Sequence, residues 1–392
     1  VDVEILIIGA GVVGLAVAAE LSTRHDVLVV ERAHGIGQGI SSRNSEVVHG
    51  GIYYEPGSLK ARLCVEGRRK IEEWASQGHF AYRQVGKYIV ATAEEEIPAM
   101  LELLERGRAN GVEGLRQVSL DELAVAEPAV RAVAALWSPC TGIVDSHGLM
   151  RFLWAKASRQ GAQLALGNRV VGLRAIPDGW EVEVEEGAHQ PDPSWDDLPL
   201  ASPPPVRGPR QSLRANRVVN AAGLYADRIA ALAGVPVEEQ GLRQYWSRGE
   251  YFAPRPGTCP PLRHLVYPVP PLGGDGHLGI HVTVDLAGGV RFGPSAHWPD
   301  PPTLRREDFH QDDCLAQHFA QGIGRFLPYM RAEDLQPAGV GLRPRLRPAR
   351  DFEIRLESGP GRDGLVTLLG VESPGLSSAP AIAGLVGGLL AG

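Results

Sequence analysis

Three glycines and one acid carry the clearest chemistry in this chain. Gly9, Gly11 and Gly14 stand in the order Gly-x-Gly-x-x-Gly, and Glu31 follows 20 residues after Gly11. A glycine at the first position permits a tight turn, one at the second lets backbone approach a pyrophosphate, and one at the third lets a helix pack close against a strand. An acid at this distance binds ribose hydroxyls and repels a 2′-phosphate, which favours a dinucleotide without that phosphate. Further along are two histidines, His49 and His281, whose ordinary pKa suits proton transfer near neutral pH. Arg343 has the planar fork that clamps a carboxylate.

The elements needed to position the glycines can be read around them. Ile5 to Ile8 is a short β-branched run typical of a strand buried on both faces. Leu15 to Leu21 has a small-residue helix pattern, and Val27 to Val30 is a second buried strand ending at Glu31. The helix N-terminus offers unsatisfied N–H groups and a partial positive charge to phosphates. After Glu31 a loop, Gly35 to Ser45, replaces the βα unit expected of a nicotinamide enzyme. It has the length to track the second half of a longer cofactor. His49-Gly50-Gly51 lets backbone lie against something flat.

The remaining pattern divides the chain. Helices are expected over Leu59 to Trp74 and Glu94 to Asn110, with Ser119 opening another as a capping box. Asp145-Ser146-His147 is read as the cap of a helix running to Gln160, not as a catalytic triad, because adjacent side chains diverge. Val170 to Leu173 and Trp180 to Val184 alternate as a hairpin. Residues 187–211 contain seven prolines and no periodicity, and are expected to form a mobile surface loop. Short alternating runs at 249–252, 265–268, 277–284 and 290–293 predict an antiparallel platform. Residues 337–344 are expected to cross back, 365–369 to form a buried strand, and a last helix to start near Gly375.

Composition narrows the function classes. The formal net charge of −7 disfavours a nucleic-acid partner, and no apolar run reaches the ~20 residues of a membrane span. The four cysteines lack metal spacing and are read as free thiols of a reducing compartment. The opening residues enter a strand at once, without a signal-peptide pattern. A cytoplasmic enzyme is expected, and peripheral contact with the inner face of a membrane is compatible with this reading.

The segments GAGVVGLAVAAEL, SSRNSEVVHGGIYYEPGSLKARLCVEG, TGIVDSHGLM, VVNAAGLYAD, AGVGLRPRL and VESPGLSS together resemble the D-amino-acid oxidase/glycerol-3-phosphate dehydrogenase superfamily of FAD enzymes, most of all its L-2-hydroxyglutarate dehydrogenase/oxidase branch. The resemblance implies a mixed α/β fold, a Rossmann-like FAD-binding domain (1–80, 140–234 and 335–392) interleaved with an antiparallel-sheet substrate domain (81–139 and 235–334). The implied cofactor is FAD. Its binding set is Gly9, Gly11, Gly14, Glu31, Arg32, Ser41, Ser42, Asn44, Ser45, His49, Gly50, Val170, Ala222, Gly223, Arg343, Gly375, Leu376 and Ser377, and no metal is expected. The implied reaction is oxidation of a small 2-hydroxy acid, with oxygen or a quinone as acceptor. Arg343 would bind the carboxylate, with Tyr53, Tyr251 and Tyr267 as phenol donors. His49, and next His281, would take the hydroxyl proton. Backbone N–H groups of Gly375, Leu376 and Ser377 would face the flavin. Arg345, Arg347 and Arg350 are read as a solvated basic face. Alternatives are an amine or amino-acid oxidase or glycerol-3-phosphate-type dehydrogenase of the same superfamily, and a non-catalytic flavin-binding redox sensor.

Overall fold

A computed structural model describes residues 2–187, 193–270, 279–296, 309, 311, 314–348 and 350–391. The expected strand start at His277 and residues 188–192 of the proline-rich stretch lie outside these. Two large sheets organise the described residues, with the glycine turn and Glu31 on the first.

The first strand, β1 (Val3–Ile8), occupies the middle of the first sheet. It pairs in parallel with β2 (Val27–Glu31) on one side and with Arg210–Asn220 on the other. Five of its six residues, Val3 and Ile5 to Ile8, are apolar and buried, as a strand covered on both faces requires. The sheet continues outward to Gln163–Leu166 beyond β2. Beyond Arg210–Asn220 lies the antiparallel hairpin Asn168–Ile176/Gly179–Glu186. Leu365–Leu369 joins Arg210–Asn220 in parallel and carries Glu353–Leu356 at its edge.

Helix α1 (Val12–Leu21) is nearly all small and apolar, so it can be sandwiched. It packs among β1, the helix Ser146–Arg159 and the final helix Gly375–Ala391. Helix α2 (Leu59–Ser76) lies against the same final helix, and a Cβ at Gly67 would overlap the Ser377 carbonyl. Its first turn is held from outside: Ser58 accepts from the Ala61 amide, and Asp351 accepts from the Leu59 and Lys60 amides. Ser119 and Asp145 cap their helices through the amides of Glu122 and Gly148.

The second sheet runs in the order Leu335–Leu346, Gln244–Pro254, Val290–Phe292, Val282–Val284, Leu265–Pro268, Lys87–Ala91, Ala134–Ser138, Arg116–Val118. One boundary read from sequence moves. Leu335–Leu346, assigned above to the cofactor-binding domain, pairs antiparallel with Gln244–Pro254 from Gln244↔Leu346 to Pro254↔Leu335. It therefore belongs to the second sheet and brings that sheet against the first. A small third sheet of Val47–Val48, Gly142–Val144 and Tyr82–Gln84 bridges the two halves.

The proline-rich stretch also departs from expectation. Pro193–Asp196 is a short helix that buries Trp195 at 3% exposure and Leu200 at 9%. Arg228, itself 2% exposed, donates to the carbonyls of Leu198, Pro199 and Leu200. Buried Arg169 donates to the Pro205 carbonyl. Proline density removes donors but leaves carbonyls, and two arginines of the first sheet's half use them. Over its described part, the stretch lies at the surface and is anchored by Trp195, Leu200 and these bonds.

Candidate functional site

A cavity of about 690 Å³ lies between the two sheets, from the glycine turn at one end to Arg343 and His281 at the other. It starts at the C-terminal edge of β1 and β2, where open α/β sheets bind ligands.

The turn after β1 is built as its sequence requires. Gly9 has φ +104, which favours glycine. A Cβ at Gly14 would overlap the Gly9 carbonyl oxygen, so the third glycine allows α1 to close on the strand end. Gly14 is packing beneath the cavity and does not line it. Ser41 accepts from the Val12 amide and fixes the following loop over the turn. Glu31 accepts from the Ala10 and Ala33 amides, tying β2 to the glycine turn, while its residue lines the cavity. The lining here also includes Arg32, Ser41, Val170, Ala222 and Gly223.

At the other end the expected residues largely converge. His49, Asn44, Ser45, Tyr53, Tyr251, His281, Arg343, Gly375 and Leu376 all line the cavity. Four expected residues do not. Ser42 donates back to Gly39 within its own turn. Gly50 is packed near the Ser138 and Thr141 hydroxyls. Ser377 is buried one layer behind, accepting from the His49 amide and donating to the Val47 carbonyl. Tyr267 is fully buried and stacks under His281.

The two histidines differ in electrostatics. His49 is 9% exposed, with Nδ1 lacking a partner and Nε2 3.4 Å from the Ser373 hydroxyl. Burial, aided by the charge of Lys87, pushes its pKa down to about 3. Lys87 is itself buried, and desolvation lowers its pKa to about 7. His281 instead has Nδ1 2.9 Å from the Gly279 carbonyl. A carbonyl only accepts, so Nδ1 is the donor in this bond.

Arg343 donates to the Ser295 carbonyl at 3.1 Å and sits cross-strand from Ser247. A Cβ at Gly249 would crowd its guanidinium, which explains a glycine there. Tyr251 is buried, and burial raises its phenol pKa against the opposing influence of Arg343 and Arg291 and a hydrogen bond with Ser45. The Gly375 amide is turned back to the Glu372 carbonyl, so it is not available as a donor to a ligand. Leu376 and Ser377 precede the Ser378→Pro374 bond that begins the helix ladder.

Sequence reasoning missed several lining residues. Arg345, expected on a solvated face, is 6% exposed, lines the cavity and binds Glu372, which Lys60 also binds. Arg347 and Arg350 are exposed, Arg347 over the Tyr245 ring and Arg350 on the Gly241 carbonyl. Tyr54, Lys60, Glu372 and Trp195 also line the cavity. Alternation along Leu335–Leu346 puts Arg345 on the same face as Arg343, which was the available signal.

An extended dinucleotide fits this cavity. The glycine turn leaves backbone exposed at the phosphate position, an acid stands at the ribose position, and Leu376 in the first turn of the last helix lines the far end.

Comparison with known proteins agrees. The family described as FAD dependent oxidoreductase matches residues 4–389. The chain is similar to the mitochondrial L-2-hydroxyglutarate dehydrogenase of Arabidopsis thaliana, 37% identical across 97% of this chain and 82% of that protein. It is also 37% identical to the mitochondrial L-2-hydroxyglutarate dehydrogenase of Bos taurus, across 75% of this chain and 60% of that one. Among solved structures, L-alpha-glycerophosphate oxidase from Mycoplasma pneumoniae with FAD bound superposes with a TM-score of 0.79 at 26% identity, covering 100% of this chain and 95% of that chain.

Proposed function

Because the chain belongs to the family of FAD-dependent oxidoreductases, we propose that it oxidises a small 2-hydroxy acid, with L-2-hydroxyglutarate as candidate substrate and 2-oxoglutarate as product. FAD, when bound, supplies a two-electron acceptor for the hydride leaving the substrate Cα. The protein's part is to bind the carboxylate, orient the hydroxyl and take its proton.

The observation that carries this reading is that a histidine and an arginine, His281 and Arg343, line one cavity. His281 has its Nδ1 2.9 Å from the Gly279 carbonyl. In this reading Arg343 binds the substrate carboxylate, and His281 accepts the hydroxyl proton as the Cα–H bond breaks. His49, held neutral by burial, packs against the cofactor and contributes shape more than basicity. Gly9, Gly11, Glu31, Arg32, Ser41 and Val170 hold the nucleotide half, with Asn44, Ser45, Gly375 and Leu376 toward the flavin half. The Ser295 carbonyl orients Arg343, and Tyr251 and Tyr53 complete the wall as phenol donors.

The acceptor that reoxidises the enzyme is proposed to be oxygen or a quinone, and the compartment the cytoplasm. No helix among the described residues is long and apolar enough to cross a membrane. The test is anaerobic bleaching of the flavin absorbance across 2-hydroxy and 2-amino acids. Bleaching by 2-hydroxy acids, L-2-hydroxyglutarate foremost, is expected. Bleaching by amino acids alone would move the protein to the amine-oxidising members, and bleaching by neither would leave a binding protein without turnover.

A further inference from the structure

The stretch 193–209 lies outside every segment that carries the family resemblance, yet it supplies a wall of the cofactor cavity. Trp195 lines that cavity at 3% exposure. Its indole Nε1 donates to the Ser202 carbonyl at 2.8 Å, so the polar edge is satisfied within the stretch. Its ring stacks on Tyr225, with centroids 5.5 Å apart and planes 18° from parallel. The guanidinium carbons of Arg228 and Arg169 lie 5.4 and 5.9 Å from the ring centroid. Those two buried arginines also hold the backbone of the stretch, through the carbonyls of Leu198, Pro199, Leu200 and Pro205. Glu185, fully buried and paired with Arg169, accepts from the Arg207 and Gly208 amides.

The part of the cavity that Trp195 walls can be located from the sheet. Glu31 ends β2 and pairs with Leu166, and the Gly167 amide donates to the Ala33 carbonyl. The chain from 168 to 170 therefore lies immediately beyond the acid that stands at the ribose position. The neighbouring lining residues are Arg32, Val170, Tyr225 and Ile229. Beyond the ribose, on the side away from the pyrophosphate, comes the base. It needs flat or apolar surface against its faces, because its own edge carries the polar groups.

We propose that Trp195 is an adenine-contacting residue and that the proline-rich stretch is a cap over the adenosine half of FAD. The surrounding hydrogen bonds leave the indole's ring, not its N–H, to meet the ligand. The role is independent of the substrate, so its failure would leave the 2-hydroxy-acid reading untouched.

ADP, which carries the adenosine half and lacks the flavin, is the probe. In the apoprotein of the full wild-type chain, amides of residues 194–204 should exchange more slowly with deuterium when ADP is added. Trp195→Ala should raise the Kd for both ADP and FAD by about 5- to 150-fold, the range set by base–aromatic stacking. Trp195→Phe, which keeps a ring and loses the bond to Ser202, should stay within about threefold of wild type. Wild-type affinity in Trp195→Ala would overturn the proposal, as would a Trp195→Phe as weak as Trp195→Ala. Should Trp195→Ala fail to fold, the wild-type exchange decides: protection by ADP supports the cap, and its absence overturns it.

Discussion

Tyr267 lies flat under His281, with ring centroids 3.7 Å apart and planes 22° from parallel. On its other contacts Tyr267 meets Tyr53 at 6.3 Å, and Lys87 Nζ stands 4.5 Å from the centroids of both phenol rings. The imidazole is thus held from below by a stack and at its edge by the Gly279 carbonyl. His281→Asn should keep FAD but slow anaerobic flavin reduction by ~10²–10⁴-fold, the usual worth of a general base. Tyr267→Leu should slow it less, by loosening the ring. A His281→Asn variant that reduces its flavin at the wild-type rate would remove His281 as the base and return His49 to the role.

His49 makes a pH signature in stability instead of in catalysis. Unfolded, its pKa is near 6.5, and folded, it is about 3. Between those values the unfolded chain binds a proton that the folded chain refuses, so stability rises with pH across this window and falls on acidification through it. In His49→Gln the drop in urea midpoint from about pH 7 to about pH 4.5 should be smaller than in wild type. An equal drop in both proteins would mean that His49 takes its proton without unfolding.

Arg343→Ala should raise KM and lower kcat/KM for the acid substrate while FAD stays in place. A charge-assisted hydrogen bond is worth ~1.5–3 kcal/mol, which corresponds to roughly 10- to 150-fold in kcat/KM. Steady-state kinetics on the flavin-loaded variant check this, and an unchanged kcat/KM would take Arg343 out of the site.

Replacing residues 188–208 with a short Gly-Ser turn should lower the thermal midpoint and release flavin more readily. It strips carbonyl partners from the buried Arg228 and Arg169 and leaves Glu185 without the Arg207 and Gly208 amides. Buried charged groups that lose partners are costly. A melting curve and flavin content indistinguishable from wild type would restore the view of this stretch as a dispensable surface loop.

Gly11→Val should yield colourless protein. The position faces the cavity, and a Cβ there already approaches the Ser41 hydroxyl at 3.0 Å. Branching beyond that atom fills the space next to the glycine turn. The check is the flavin-to-protein absorbance ratio after purification, and full flavin occupancy would move the pyrophosphate elsewhere.

The strand–glycine–helix–strand unit was legible because each residue there answers to a local rule: apolar runs for strands, glycines for the turn, an acid after β2. His281 and Arg343 were legible as residue types, and their meeting in one cavity came from sheet pairing, which no local pattern encodes. Arg345 looked solvated because charge alone says nothing about a partner; Glu372, 27 residues away, buries it. The anchoring of the proline-rich stretch was not legible, because its composition predicts poor self-packing. Its partners, Arg169 and Arg228, lie on other elements. Lys87 carried no signal in sequence, since a lysine in an apolar strand is ordinarily placed at its surface.

The position of β1 also bears on how the protein is made. Its neighbour Arg210–Asn220 leaves the ribosome about 200 residues after it, and the helix that covers α1 and α2 emerges only at Gly375–Ala391. Until then β1 and β2 present one open edge and an uncovered apolar face. Such non-local closure is slow and exposes aggregation-prone surface. In the proposed site FAD meets both the first glycine turn and the start of the last helix, so it would lock only a chain synthesised past Gly375. Flavin supply during expression should therefore govern the yield of folded protein as well as its colour.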